Sequence, residues 1–415
     1  MKYVGLMDCN NFFVSCERLF RPDLQNKPTL VLSSNDGCVV ARSQEIKDMG
    51  IPMGVPYFKV KDIIKDSKTA VFSSNFSLYR DLSARVYDSL SEQVPTVEQY
   101  SIDESFFYLN ADSNTDVERE ALSIKNKIER QTGIPVSIGV ASNKTLAKLA
   151  SKFAKKDKGV FVLDTEKLQK LALEVPLYDI WGIGINLNKS LQSNNIANVA
   201  DYLALDVAVV RKLYGVVGER LWLELSGKLI NKVCRKKTIK QSITHSRSFN
   251  KAIFTKSVIE DALSYHTRMA AEDLRSVNLV ATGVKIFIMP SRHGDYVLQG
   301  LSANIIFDTP TDDTFAMLDN INKVLNGIYK ASVPYKKAGI TLFGLIDKSS
   351  LQNKLFNNTV DKNILLNTLD NLNKKFGKDF IKIGDRQKSK MWQTKADKLS
   401  PAYTTRWSDI PIVSA

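Results

Sequence analysis

The chain has 415 residues, 44% hydrophobic and 25% charged. That is the profile of a globular protein with more than one core, and no run approaches the roughly 18 apolar residues that cross a bilayer. The net charge of +14 is uneven: residues 1–165 carry 22 Lys and Arg against 21 Asp and Glu, and residues 166–415 carry 36 against 23. Such an excess calls for a polyanionic partner, with nucleic acid ahead of a membrane surface because no strongly amphipathic basic helix stands out.

The opening "MKYVGLMDCNNFF" reads as a short strand ending at an acid, with no secretion signal, so a cytoplasmic protein is expected. Strand patterns follow at Tyr3–Met7, Thr29–Leu32, Cys38–Ala41, Val71–Ser73, Val97–Ser101, Ser105–Leu109 and Val136–Val140. They alternate with helical patterns at 76–93, 115–131 and 142–156, the last capped by Ser142 or Asn143. Residues 166–232 read as all-helical. Within them Gly182-Ile183-Gly184 suits a helix-hairpin-helix turn whose backbone N–H groups face phosphate, with a plain helix–helix turn as the alternative. A basic linker at 233–241 leads to strand 242–249, helix 256–276, strands 279–289 and 296–306, helix 312–328 and strand 336–345. That is a β-α-β-β-α-β order. From 346 the composition turns polar and rich in Asn and Lys, the mark of a tail that is partly disordered or docks on something.

The four cysteines form no CxxC pair, and His245, His266 and His293 have no ligand spacing, which argues against zinc and against a histidine base. The chemistry lies with acids. Asp8 ends an apolar strand, and "YSIDES" sets Asp103 beside Glu104 in an aromatic, apolar stretch. Two adjacent carboxylates in such a setting ask for a cation. A cluster of three would suit Mg²⁺ and a two-metal phosphoryl transfer; turn acids and ordinary ion pairs are the alternative.

The blocks "GLMDCNNFFVSCE", "GCVVARS", "YSIDES", "VSIGVASNKTLAKLASKFAKK" and "WGIGINLNKSL" occur in this order. Together they resemble the Y-family DNA polymerases, the translesion class. "RPDLQNKPTLVLSSNDGCVVARS" and the closing "LSPAYTTRWSDI" resemble the UmuC branch of that family, so the resemblance spans essentially the whole chain. It implies an α+β multidomain, right-hand polymerase. A ferredoxin-like palm would occupy 1–165, with small fingers inserted at about 20–75. A helical thumb with a helix-hairpin-helix would span 166–232, a little finger 242–345 and a docking tail 346–415.

Residue by residue, the resemblance places Asp8, Asp103 and Glu104 on the metal-binding acids for two Mg²⁺ ions, and Cys9 where a backbone carbonyl meets a metal. Phe13 falls on the aromatic gate that excludes a 2′-hydroxyl, and Lys155 on the lysine that meets the triphosphate of a dNTP. Arg42 and Ser43 lie near the nascent base pair. Gln44 and Lys47 match positions where other branches carry Tyr and Arg; lysine keeps the charge without the bidentate fork. Gly182 and Gly184 would grip primer–template DNA. Gln352, Leu355 and Phe356 resemble a sliding-clamp docking motif, with Asn353 where Leu is usual. A processed UmuD dimer and a RecA filament are implied partners, in an error-prone, SOS-type damage response near the nucleoid. The rival readings are a non-catalytic scaffold at stalled forks and a nucleotide cyclase on a similar palm. Intact acids and gate oppose the first; the hairpin and the basic later half oppose the second.

Overall fold

The computed structural model describes residues 2–235, 240–291, 300–351, 362–377, 380–381 and 391–412. They form two compact units. The first runs from the start of the chain to residue 235, without residues 34–36, and takes back the chain from Lys398 onward; the second holds residues 34–36 and the chain from 240 to Asp397.

In chain order the first unit begins with β1 (Lys2–Cys9), α1 (Phe12–Phe20), β2 (Thr29–Leu32), β3 (Val39–Arg42), α2 (Gln44–Asp48), α3 (Tyr57–Val60) and β4 (Ala70–Ser73). It continues with α4 (Phe76–Ser91), β5 (Val97–Gln99), β6 (Glu104–Asn110), α5 (Asn114–Thr132), β7 (Val136–Ala141), α6 (Lys144–Ala154) and β8 (Val160–Val162). Helices α7 (Thr165–Leu171), α8 (Ile185–Ser193), α9 (Val199–Leu203) and α10 (Val207–Leu225) complete it. The five-stranded sheet has the order β5-β6-β1-β7-β8, and β2, β3 and β4 make a separate small sheet. Strand β8 has no counterpart in the sequence reading.

The central sheet is buried on both faces, and alternation along β1 assigns them. Met7, Phe107 and Ile138 enter a core with Phe12 of α1, Leu82 of α4 and Ile124 of α5. Val4, Leu6 and Phe106 enter another with Leu146 and Leu149 of α6 and, from the following helices, Leu191 and Leu225. Helix α6 is fixed at its start by Asn143, whose side chain accepts from the Leu146 N–H and donates to the Glu224 and Lys228 carbonyls.

The second unit is a four-stranded antiparallel sheet, β9 (Ser242–Ile253), β10 (Leu279–Pro290), β11 (Leu301–Thr311) and β12 (Tyr335–Asp347), in the order β11-β10-β12-β9. Helices α11 (Lys256–Ser276) and α12 (Thr314–Ile328) pack with it around Ile259, Ile286, Met317 and Ile340. Past residue 346 the described chain is not featureless. It forms α13 (Asn363–Phe376) and buries Trp392 in the same core, where its indole N–H donates to Asp261.

Gly139 lets α6 press on the sheet. A Cβ there would overlap the backbone of Ala147, Ala150 and Ser151. Gly139→Ala is therefore expected to destabilise the first unit by about 3 kcal/mol, the upper range for overpacking against backbone that cannot yield. Thermal or urea unfolding would measure it; an unchanged transition would show that α6 can back away from β7.

Candidate active site

The site grows out of one cross-strand pair. Antiparallel pairing of β1 with β6 sets Asp8 opposite Glu104. Both share their strand parity with residues of the α6 face, Leu6 and Phe106. Two lysines of the α6 segment meet them: Lys155 Nζ lies 2.7 Å from Asp8 Oδ1, and Lys148 Nζ lies 2.8 Å from Glu104 Oε2. Seven residues separate these lysines, close to two helical turns, so one face carries both.

Asp103 is not part of the strand ladder. It sits in the bend that precedes β6, which is how two neighbouring acids avoid opposite faces of a regular strand. Ser101 shapes that bend. Its Oγ donates to Asp103 Oδ1 at 2.5 Å and accepts from the backbone N–H groups of Asp103 and Glu104 at 3.2 and 3.0 Å. The Cys9 N–H donates to the Asp103 carbonyl at 2.9 Å, tying the bend to the end of β1.

Burial dominates the electrostatics of Asp8, which is 8% exposed. Its carboxyl is pushed up to about 6, against the pull of Lys155 and with further upward pushes from Glu104 and Asp103. The Cys9 thiol is driven upward by burial and by the same acids, so it is inert packing and only its main chain is available. Among the described residues no three His, Cys, Asp or Glu side chains are gathered as tightly as a preformed metal site. The donor set nonetheless fits a hard cation: carboxylate oxygens whose mutual repulsion and desolvation are now offset by two ammonium groups.

Positive charge collects near Asp8. Lys47 Nζ donates to Asn11 Oδ1 at 2.6 Å. Its ammonium is held below the usual lysine range by burial first, then by the charges of Lys155 and Arg42. Three cations within each other's field make a place for a polyanion. Arg42 also donates to the Ile51 carbonyl. Ser43 is buried and accepts from the Thr29 N–H at 3.0 Å, a structural tie between β2 and β3. Gln44 is exposed and donates to Asp48 at 2.7 Å.

Phe13, half-buried on α1, stacks on Tyr79 of α4 at 4.4 Å and 13°, with Phe76 edge-on at 5.8 Å. The Tyr79 hydroxyl donates to Glu17 Oε1 at 2.6 Å. In the helical hairpin Gly182 has φ 98°, a conformation that favours glycine, and Gly184 is the N-cap of α8. Next to them the Trp181 indole N–H donates to the Tyr100 hydroxyl at 3.0 Å, and Lys148 lies 4.7 Å from the Tyr100 ring centre. The hairpin thus touches the stretch that carries the acids. Gln352, Leu355 and Phe356 lie outside the described residues.

Sequence reasoning missed Lys148, Trp181 and Glu17. A signal for the first existed, in its seven-residue spacing from Lys155. Nothing in the sequence marks Glu17 as a buried partner of Tyr79.

A family model described as impB/mucB/samB matches residues 7–152, and the model of that family's C-terminal domain matches 240–355. A domain of unknown function (DUF4113) matches 363–413. The chain is 36% identical to protein UmuC of Salmonella typhimurium over 98% of this chain and 99% of that one. It is 34% identical to protein ImpB of Salmonella typhimurium with the same coverage, and 28% identical to DNA polymerase IV of Corynebacterium diphtheriae over 75% and 69%. A Y-family DNA polymerase chimera of Dbh and Dpo4 superposes with a TM-score of 0.68 at 22% identity, covering 83% of this chain and 99% of the other. The fold is the right-hand, multidomain α+β fold of these polymerases.

The buried acid behind the aromatic stack has a thermodynamic consequence. Burial pushes the Glu17 carboxyl from its ordinary 4.5 up to about 7, outweighing the hydrogen bonds from Tyr79 and Ser400. Between those values the folded chain keeps a proton that the unfolded chain has released, so stability falls as pH rises through the window and levels off above it. Glu17→Gln is expected to flatten that slope. The variant should gain about 1 to 3 kcal/mol over the parent at pH 8, with no gain below pH 4.5. Urea unfolding across pH 4.5–8 would read the difference; parallel curves would show that Glu17 titrates normally.

Proposed function

The chain belongs to the impB/mucB/samB family within the Y-family DNA polymerases, and from that premise we propose which of its residues carry out the reaction. It is a DNA-directed DNA polymerase that performs error-prone translesion synthesis. The observation that carries the assignment of residues is the Asp8–Glu104 pair facing Lys155 and Lys148.

In the proposed mechanism the primer 3′-hydroxyl attacks the α-phosphorus of a dNTP and pyrophosphate leaves. Asp8, Asp103, Glu104 and the Cys9 carbonyl would hold two Mg²⁺ ions. Bound there, these would neutralise phosphate charge and favour the ionised hydroxyl. Lys155, now on Asp8, would turn to the triphosphate, with Lys47 and Arg42 adding to the field around it. Gln44 would lie at the rim, and Ser43 would fix the strand that carries Arg42. Phe13 would place its ring under the sugar, where a 2′-hydroxyl has no room.

The two sheets and helices of residues 1–165 would be palm and small fingers, inserted at about 20–75. Residues 166–232 would be the thumb, 233–241 a linker and 242–345 the little finger. Gly182 and Gly184 would present backbone N–H groups to the DNA backbone. The basic excess after residue 165 supports sequence-independent, salt-sensitive binding. A small-fingered site leaves room for a damaged base at a cost in fidelity. A processed UmuD dimer, a RecA filament and the sliding clamp, through Gln352, Leu355 and Phe356, are the proposed partners, in the cytoplasm near the nucleoid. Among the described residues no helix is long and apolar enough to cross a membrane.

Primer extension on undamaged and abasic templates, with Mg²⁺, processed UmuD and activated RecA, tests the assignment. The double substitution Asp103→Ala and Glu104→Ala should lower extension at least about 10³-fold while DNA binding persists. Equal extension by both chains would remove these acids from the mechanism. Binding without extension by either would favour the scaffold.

A further inference from the structure

A chain of hydrogen bonds joins the C-terminal segment to the aromatic stack that contains Phe13. The backbone of Lys398 and Leu399 pairs with Ser73 at the end of β4: the Ser73 N–H donates to the Lys398 carbonyl at 2.9 Å, and the Lys398 N–H donates to Ser73 Oγ at 3.0 Å. Asn75, two residues on and 5% exposed, donates from Nδ2 to the Ser400 carbonyl, the Ser400 hydroxyl and the Pro401 carbonyl at 3.2, 3.0 and 3.3 Å. The same side chain caps α4 by accepting from the Leu78 N–H. Ser400, itself buried, donates to Glu17 Oε1 at 3.1 Å. That oxygen also receives the Tyr79 hydroxyl, and the Tyr79 ring is the surface on which Phe13 stacks.

Glu17 lies four residues after Phe13 on the same face of α1. Farther along, Tyr403 stacks on Phe20 of that helix at 4.6 Å and 12°. The segment therefore grips both helices whose side chains form the stack, α1 through Glu17 and Phe20 and α4 through Asn75. A single carboxylate oxygen is shared between the segment and Tyr79. Displacing the segment would leave Glu17 with one donor fewer, and the carboxyl could then shift and carry with it the Tyr79 hydroxyl bonded to the same oxygen.

We propose that residues 398–403 are a positioning strap for the sugar gate: through Ser400, Glu17 and Tyr79 they set the depth of the Phe13 ring, and so the discrimination between dNTP and rNTP. This rests on the reading of Phe13 as the gate. It gives a specificity role to the part of the chain that matches a domain of unknown function.

The test measures kcat/KM for a dNTP and its matching rNTP in the full-length chain with processed UmuD and activated RecA. Ser400→Ala should lower the dNTP preference about fivefold, as expected for one buried hydrogen bond to a carboxylate. The loss should come from better rNTP use, with dNTP use within about twofold of the parent. Phe13→Ala should lower the preference far more, and Ser400→Ala should add nothing in that background, because the strap acts only through the ring. Tyr79→Phe cuts the same relay from the other side and keeps the ring, so it serves if Ser400→Ala does not fold. A lowered preference in Phe13→Ala with an unchanged one in Ser400→Ala and Tyr79→Phe would overturn the strap and leave the gate standing. An unchanged preference in Phe13→Ala would remove the gate itself. Equal loss of dNTP and rNTP use in Ser400→Ala would reduce the strap to a stability element and overturn the inference.

Discussion

The pairing of β1 with β6 brings Asp8 and Glu104 side by side on a face that is otherwise apolar. Like charges opposite each other in a sheet are destabilising, and burial adds to the cost. The fold accepts this because α6 is laid across the same face with lysines at both acids, and α6 can lie so close only because Gly139 has no side chain. The lysines settle the charges without consuming them. An ammonium on a flexible stem can leave a carboxylate for a phosphate, whereas a carboxylate bound by a rigid fork would be harder to release. In the proposed role, a site that would alternate between being empty and holding a polyanion with its cations would gain from such loose neutralisation.

Much of this was legible in the sequence because the residues concerned sit in short, ordered blocks. Asp8 could be seen ending an apolar strand, and "YSIDES" could be seen breaking one. The position of Asp103 in a bend outside the strand ladder was not readable, since strand alternation alone sends neighbours apart; Ser101 shapes that bend, its hydroxyl serving three partners. In the second unit β9, β10 and β12 were legible from their period, whereas the strand expected at 296–306 lies five residues later as β11, and β8 was not expected at all. The C-terminal segment shows the limit most sharply. "LSPAYTTRWSDI" identifies a branch of the family, yet nothing local says that Ser400 meets Glu17, because the two are 383 residues apart and each reads as an ordinary polar residue. Periodicity reports burial and face; it does not report partners.

The polar relay behind Phe13 obeys the same economy as the acidic site. Glu17 is fully buried, and among the described residues its Oε2 has no hydrogen-bond partner, while Oε1 accepts two hydroxyls. Burial penalises the charged form, which pushes the Glu17 carboxyl up to about 7 against the hydrogen bonds from Tyr79 and Ser400. Burying such a group only to fill space would be wasteful, since a leucine of similar size would cost nothing in desolvation. Its use is geometric. A hydroxyl–carboxyl hydrogen bond is directional and adds a fixed point for the ring to the packing around it. If Phe13 is the proposed sugar gate, it would have to separate substrates differing by one oxygen, a task that calls for such placement. Because one of the two hydroxyls comes from the far end of the chain, the proposed gate's setting would depend on whether that end is in place.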